Sequence, residues 1–272
     1  MLIFIIKILV SIAIVLLLAE ISKRINPTLG GIISGLPLGT ALSVYFISYQ
    51  MGETYLIDVI PWGICGLISS ILLCFIYLIL DFCLKINNKY FSIIVSSIFS
   101  FAVFLISGYF FYAVKLNIRL SLLIFSVFFI LNIVALNRIV KVKHEKKKDK
   151  TTLFNNFIRA LIVSLIIISI TGLAKHIGNK WSVILSSFPS TLFPLILILH
   201  YEDRNNLYHL VIKGFSLGVS TLVLFYLCCF ILIPEYGLNT GFAITYLISI
   251  VYLYLVNKGR NIVHKFHSSL DE

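Results

Sequence analysis

Nine times along the chain an apolar run passes that is about as long as a bilayer core is thick, and this recurrence limits the fold more than any other feature. A membrane-spanning helix needs about 20 apolar residues. Runs of that kind cover residues 2–19, 29–48, 57–80, 90–114, 118–140, 154–174, 181–200, 207–233 and 238–256. Barrel strands would alternate polar and apolar residues over about 10 positions, whereas these runs are longer and apolar on every side. With 60% hydrophobic and 12% charged residues, a globule of 272 residues cannot hide its apolar surface from water. The expected fold is therefore all-α: a polytopic helical membrane protein of about nine transmembrane helices. The first run follows Lys7 as a signal peptide would. Glu20, Lys23 and Arg24 stand where small residues would mark cleavage, so it is read as a helix.

The formal charge of +11 comes from 22 basic and 11 acidic residues. In a soluble protein it would suggest nucleic acid as a partner. Here the charge lies in short loops, where it holds those loops in the cytoplasm and attracts anionic lipid headgroups. The loop from Arg138 to Lys150 is the most basic and fixes the orientation. Alternation from there leaves only Lys7, Lys115, Arg119, Lys175 and Lys180 outside, so 17 of the 22 basic residues face inward. The expected location is the plasma (inner) membrane, with the N-terminus outside and the C-terminus cytoplasmic. Glu53 and Asp58 then fall in an external loop.

The basic loop also divides the chain into related halves. Laying residues 7–75 on 159–227, an offset of 152, pairs Lys23 with Lys175, Ser34 with Ser186, Pro37 with Pro189, Tyr49 with Tyr201 and Gly66 with Gly218. Twelve of the 69 pairs are identical, about twice what so aliphatic a composition gives by chance. Five spans separate the starts of the two units. An odd number reverses direction, so the expectation is two inverted-topology repeats, five spans plus four. Residues 1–114 form the first repeat, 115–152 the connector helix and basic loop, 153–257 the second repeat and 258–272 a basic tail. Such repeats recur in secondary transporters, with the site between them near mid-bilayer.

Each half carries one helix that its own sequence interrupts. In 30–40, four glycines accompany Pro37; in 186–191, Ser186, Ser187, Ser190 and Thr191 surround Pro189, with Pro194 following. Proline lacks an amide hydrogen and disrupts the bond to the carbonyl four residues back, here those of Ile33 and Leu185. Freed backbone groups in hydrocarbon must face protein or a water-lined cavity. The candidate solute-binding residues are thus Ser34, Gly35, Pro37, Gly39 and Thr40 in one half and Ser186, Ser187, Pro189, Ser190 and Thr191 in the other. Half-helix N-termini favour anionic groups and free carbonyls favour cations, and the sequence leaves that choice open. The four-residue spacing of Gly31, Gly35 and Gly39, and of Ser182, Ser186 and Ser190, equally suits close helix packing without a ligand.

The remaining chemistry is sparse. Cys65, Cys74, Cys83, Cys228 and Cys229 form no C-x-x-C pair and read as buried thiols, and no metal site is expected. The segment His200 to Arg204, with His209 behind it, has the composition of a metal or acid/base site but reads as a solvated cytoplasmic loop, with a gating or coupling role as the alternative. Asp81, Glu20, Lys7 and Arg159 read as interfacial anchors that snorkel. An acid nearer the centre would be wanted for tight proton coupling. No hydrolase, zinc, P-loop or dinucleotide signature is present, so no enzyme activity, catalytic residue or cofactor is expected.

The segments 31–37 and 183–191 resemble a pattern in the GlpM-like family of small bacterial inner-membrane proteins, where a short helix carries a Leu/Phe-Pro-Thr type stretch after a Gly. The likeness covers about 20 residues in each half and implies two such units joined in opposite orientation. Leu38 and Gly39 stand where that pattern has Ser and Thr. The resemblance implies a membrane protein, with little about its activity. Together these features lead to a transporter expectation: a small polar solute, ion or lipid headgroup moves through a mid-membrane site at the two Pro-broken helices. The alternative is a non-catalytic scaffold or assembly protein that binds lipid or partner helices. Partners are membrane lipids and an unknown small solute, with a homo-oligomer left open and nucleic acid excluded.

Overall fold

Asparagines and glycines punctuate the helices. The Asn88 side chain accepts hydrogen bonds from the amides of Tyr90 and Phe91, and that of Asn117 accepts from Leu120 at 2.8 Å. Each satisfies amides that a helix start leaves without a partner. The computed structural model describes residues 32–84, 88–140, 178–202 and 207–268. Seven helices follow in order: α1 (Leu38–Met51), α2 (Glu53–Leu84), α3 (Lys89–Ala113), α4 (Ile118–Ile139), α5 (Asn179–Ser186), α6 (Leu192–Glu202) and α7 (Leu207–Ser268). Among the described residues there is no strand. α7 is two rods joined at Gly237, whose φ of 74° lies in the left-handed region. The Glu53 carboxylate accepts the Leu238 amide at 2.8 Å and so caps the second rod.

Four of these helices are long and apolar enough to cross a membrane, at Glu53–Cys83, Tyr90–Ala113, Ile118–Ile139 and Leu207–Gly259. They mark the chain as a helical membrane protein. Of the nine expected spans, 2–19 and 154–174 lie outside the described residues. Those at 29–48 and 181–200 are interrupted in their described parts, and the expected boundary near 234–237 falls at the bend of α7.

α2 is the central helix, largely buried and packed against α3, α4, α5 and the first rod of α7. It runs antiparallel to that rod. Glu53 meets Leu238, Gly63 lies against Tyr226, and the rings of Tyr77 and Tyr208 sit 6.0 Å apart. Among the described residues, α3 and α4 are covered on one side, and that inward side is the less greasy one. Ser92, Ser96, Ser100 and Phe104 are buried on α3 while Phe91, Ile98, Phe99 and Ile106 are exposed. α4 buries Ser121 and Asn132, whose amide donates to Ser216 Oγ at 2.9 Å. Small residues let helices approach closely, and the large apolar side chains are left for lipid. Exposed aromatics gather at both ends of α3: Tyr90 and Phe91 at one, Tyr109 and Phe110 at the other.

Candidate functional site

The two Pro-broken segments share one backbone motif. In the first, the amides of Gly35, Leu36, Leu38 and Ala41 donate to the carbonyls of Ile32, Ile33, Leu36 and Pro37 at 2.9, 2.9, 2.7 and 2.8 Å. In the second, the amides of Ser187, Phe188, Ser190 and Phe193 donate to Ile184, Leu185, Phe188 and Pro189 at 3.1, 3.0, 2.7 and 2.8 Å. Every donor and acceptor of the second set lies 152 positions after its counterpart in the first. These bonds correct the expectation that proline frees the carbonyls of Ile33 and Leu185. Both accept from the residue three positions on, so the chain tightens into a turn before restarting as α1 or α6.

All ten candidate solute-binding residues are buried. The two segments meet where α1 and α6 begin. A Cβ on Gly39 would overlap Ser190 Oγ and lie 3.3 Å from Ser190 Cβ and 4.0 Å from Thr191 Cγ2. The long helices cross the segments reciprocally. Gly35 lies against the backbone of Gly218 on α7, and a Cβ on Gly218 would come 2.6 Å from the Ile32 carbonyl oxygen. The same offset turns these residues into Ser187, Gly66 and Ile184. They also touch: a Cβ on Gly66 would stand 3.0 Å from Ser187 Cβ and 3.1 Å from Ile184 Cα.

Hydroxyls bind the second segment into the core. Ser187 Oγ donates to the Gly63 carbonyl at 2.8 Å, and Ser70 Oγ donates to the Ser187 carbonyl. The buried Tyr226 hydroxyl lies 3.1 Å from Ser186 Oγ and 2.9 Å from Ser187 Oγ. Tyr226 was not among the sequence candidates, because nothing local marks it off from the other aromatics of its span. Ser34, Pro37 and Thr40 are buried in the first segment, where glycine takes over most of the contact role.

A second polar group lies at one end of the bundle, and it corrects two expectations. Asp81 is no free anchor, and His200 and His209 do not belong to a solvated loop: both histidines are buried, at 7% and 5% exposure. Asp81 Oδ1 accepts from Ser92 Oγ at 2.8 Å and lies 3.3 Å from His200 Nε2. Its Oδ2 accepts from the Tyr208 hydroxyl and lies 3.9 Å from His209 Nε2. The Tyr77 hydroxyl meets His200 Nδ1 at 2.8 Å, and the His200 ring stacks on Tyr208 with centroids 4.5 Å apart. The group thus ties together the end of α2, the start of α3, the end of α6 and the start of α7. Its members lie between positions 77 and 209 of the chain and form no motif. The available signal was that polar aromatic and ionisable residues sit at the ends of several apolar spans. Glu53 is likewise corrected from loop residue to helix cap.

Among the described residues, no three His, Cys, Asp or Glu side chains converge as a metal site. Comparison with protein-family models, curated proteins and solved structures finds no match to this chain.

Proposed function

We propose that the chain is a membrane transporter built from two inverted repeats, and that a small solute bearing an anionic group passes between the two Pro-broken segments. One observation carries this reading: the same four-bond backbone interruption occurs twice, and the contacts around it are reciprocal at the same offset of 152. The equivalent long helices, α2 and the first rod of α7, run antiparallel, as units of opposite topology require. A discontinuous helix in each unit, meeting its counterpart at the unit interface, is the arrangement from which secondary transporters make their sites. The meeting point joins the N-terminal starts of α1 and α6; the carbonyls before each break are bonded, as are the Leu38, Ala41, Ser190 and Phe193 amides, so the helix-end dipole is what remains to act on a solute. Helix N-termini favour negative charge, so carboxylates and phosphates are favoured over amines. In the described conformation the segments close on each other, which corresponds to a pathway shut at its centre.

A second reading draws on that same closeness. A seam of glycine and serine at contact distance also suits a scaffold whose helices are simply packed, with lipid or partner helices on the outer faces of α3 and α4. The two-copy resemblance to GlpM-like proteins fits either reading.

The test is a thermal-shift screen of the purified full-length chain against small carboxylates, phosphates, amines and neutral polyols. A ligand of the folded state at 100 times its Kd adds about 2.7 kcal/mol of stability. The transport reading expects an anionic hit that drives uptake into proteoliposomes. It also expects the uptake, though not folding, to fall at least about tenfold in Pro37→Ala/Pro189→Ala. Uptake unchanged in a well-folded double variant would remove the broken helices from the mechanism and favour the scaffold.

A further inference from the structure

The group around Asp81 has no counterpart in the other half. Positions equivalent to Tyr77, Asp81 and His200 are Cys229, Ile233 and Ser48, all buried and none acidic or basic. Among the described residues, two halves that match at the breaks therefore differ at these positions, and one of the two holds a carboxylate against two imidazoles. Resting on the transport reading, we propose that Asp81, His200 and His209 form a proton-binding latch, and that uptake of a proton there holds the pathway shut.

The geometry defines the proton's place. With His200 neutral, Nε2–H faces Asp81 Oδ1 and Nδ1 accepts from the Tyr77 hydroxyl. His209 Nε2 is buried, makes no hydrogen bond and faces Asp81 Oδ2 across 3.9 Å. Histidine is the side chain whose charge changes between about pH 5 and 8. A proton arriving from solvent at either imidazole places a full positive charge opposite the carboxylate. That adds an ion pair from α2 to α6 or from α2 to α7; at His200 the new proton sits on Nδ1, so the Tyr77 hydroxyl turns from donor to acceptor. Among the described side chains, the further titratable groups beside the cluster are Tyr77 on α2, Tyr208 on α7, and Tyr90 and Tyr201 on α3 and α6, whose rings pack against one another. All four are phenols. Lys213, one turn beyond His209, is engaged elsewhere, donating to the Val140 carbonyl at 3.3 Å.

The latch acts on the break through α6. That helix is 11 residues long, a rod of about 16 Å, with His200 near one end and the Pro189 turn immediately before the other. Clamping His200 to α2 fixes where Ser190 and Thr191 sit against Gly39. A carboxylate at the mouth thus suffices for proton control, without the mid-membrane acid that a proton carrier would need.

The experiment places a single thiol at the break, Ser190→Cys, in the full chain with its five cysteines replaced by alanine. The variant is reconstituted in vesicles and labelled with a water-soluble maleimide from pH 5.5 to 8. Rates are normalised at each pH to the same protein unfolded, and each variant is first checked for a monodisperse elution profile. The latch predicts labelling at least about fivefold slower at pH 5.5 than at pH 7.5, the lower end of ordinary coupling between sites. It predicts that Asp81→Asn and, separately, His200→Gln/His209→Gln flatten the profile, while Ser126→Ala, at an exposed serine that bonds only within α4, keeps it. A flat profile in the parent, or one that persists in both sets of variants, overturns the latch and leaves the pathway standing. Absence of labelling at every pH overturns the pathway itself.

Discussion

A methyl group added to Gly35 has nowhere to go, because the Gly218 backbone already occupies the space, whereas one added to Gly66 meets Ser187 Cβ at 3.0 Å, a contact that a small shift relieves. Gly35→Ala and Gly218→Ala are therefore expected to destabilise the protein by about 1–3 kcal/mol, and Gly66→Ala by less. Thermal unfolding in one detergent ranks the three. The Tyr226 hydroxyl gives a milder case. Tyr226→Phe removes its interactions with Ser186 and Ser187, but Ser187 keeps the Gly63 carbonyl and Ser186 keeps that of Val183. A loss of about 1 kcal/mol is expected in the same assay. At this scale the glycines and prolines of the breaks are legible, since each announces a backbone property regardless of its surroundings. Asp81, His200 and His209 are not. What makes them a group is that four helix ends coincide in space, and apolar periodicity carries no information on which ends those are.

Pro37 and Pro189 predict that a helix stops and say nothing about what replaces the missing bonds. The replacement is a turn in which residue i+3 donates, so the carbonyls of Ile33 and Leu185 are occupied. That distinction sets the chemistry: each break is a buried turn that runs straight into the N-terminal start of the next helix. The bend in α7 follows the same logic with different residues. Gly237 holds a positive φ that a side chain resists, and Glu53 supplies the acceptor that the new helix start needs. Glu53→Ala is expected to cost about 0.5–2 kcal/mol, as lost helix caps do, and Gly237→Ala about 1–2 kcal/mol in backbone strain. Both substitutions loosen the same joint, so the double variant is expected to lose less than the sum. A double-mutant cycle on thermal stability measures the shortfall.

For the molecule as a whole, hydropathy reveals the class of fold and the offset of 152 suggests its internal relation. The antiparallel passage of α2 against the first rod of α7 adds direction, which a sequence offset can give only by counting spans. With the expected orientation, native Cys83, exposed at one end of α2, labels from the cytoplasmic side and a cysteine in place of Glu53 labels from outside. Both labelling from one face would contradict α2 as a single crossing. The aromatic residues of α3 have a further consequence. Tyr90 and Tyr109, both strongly exposed, stand 19 residues apart on one helix, about 29 Å at 1.5 Å per residue. That is the thickness of an ordinary hydrocarbon slab, and tyrosine rings settle at its two surfaces. α3 thus carries its tyrosines at a spacing that matches one hydrocarbon thickness. In bilayers of much shorter acyl chains it must lean, and the serine stripe that it presents to α2 would lean with it.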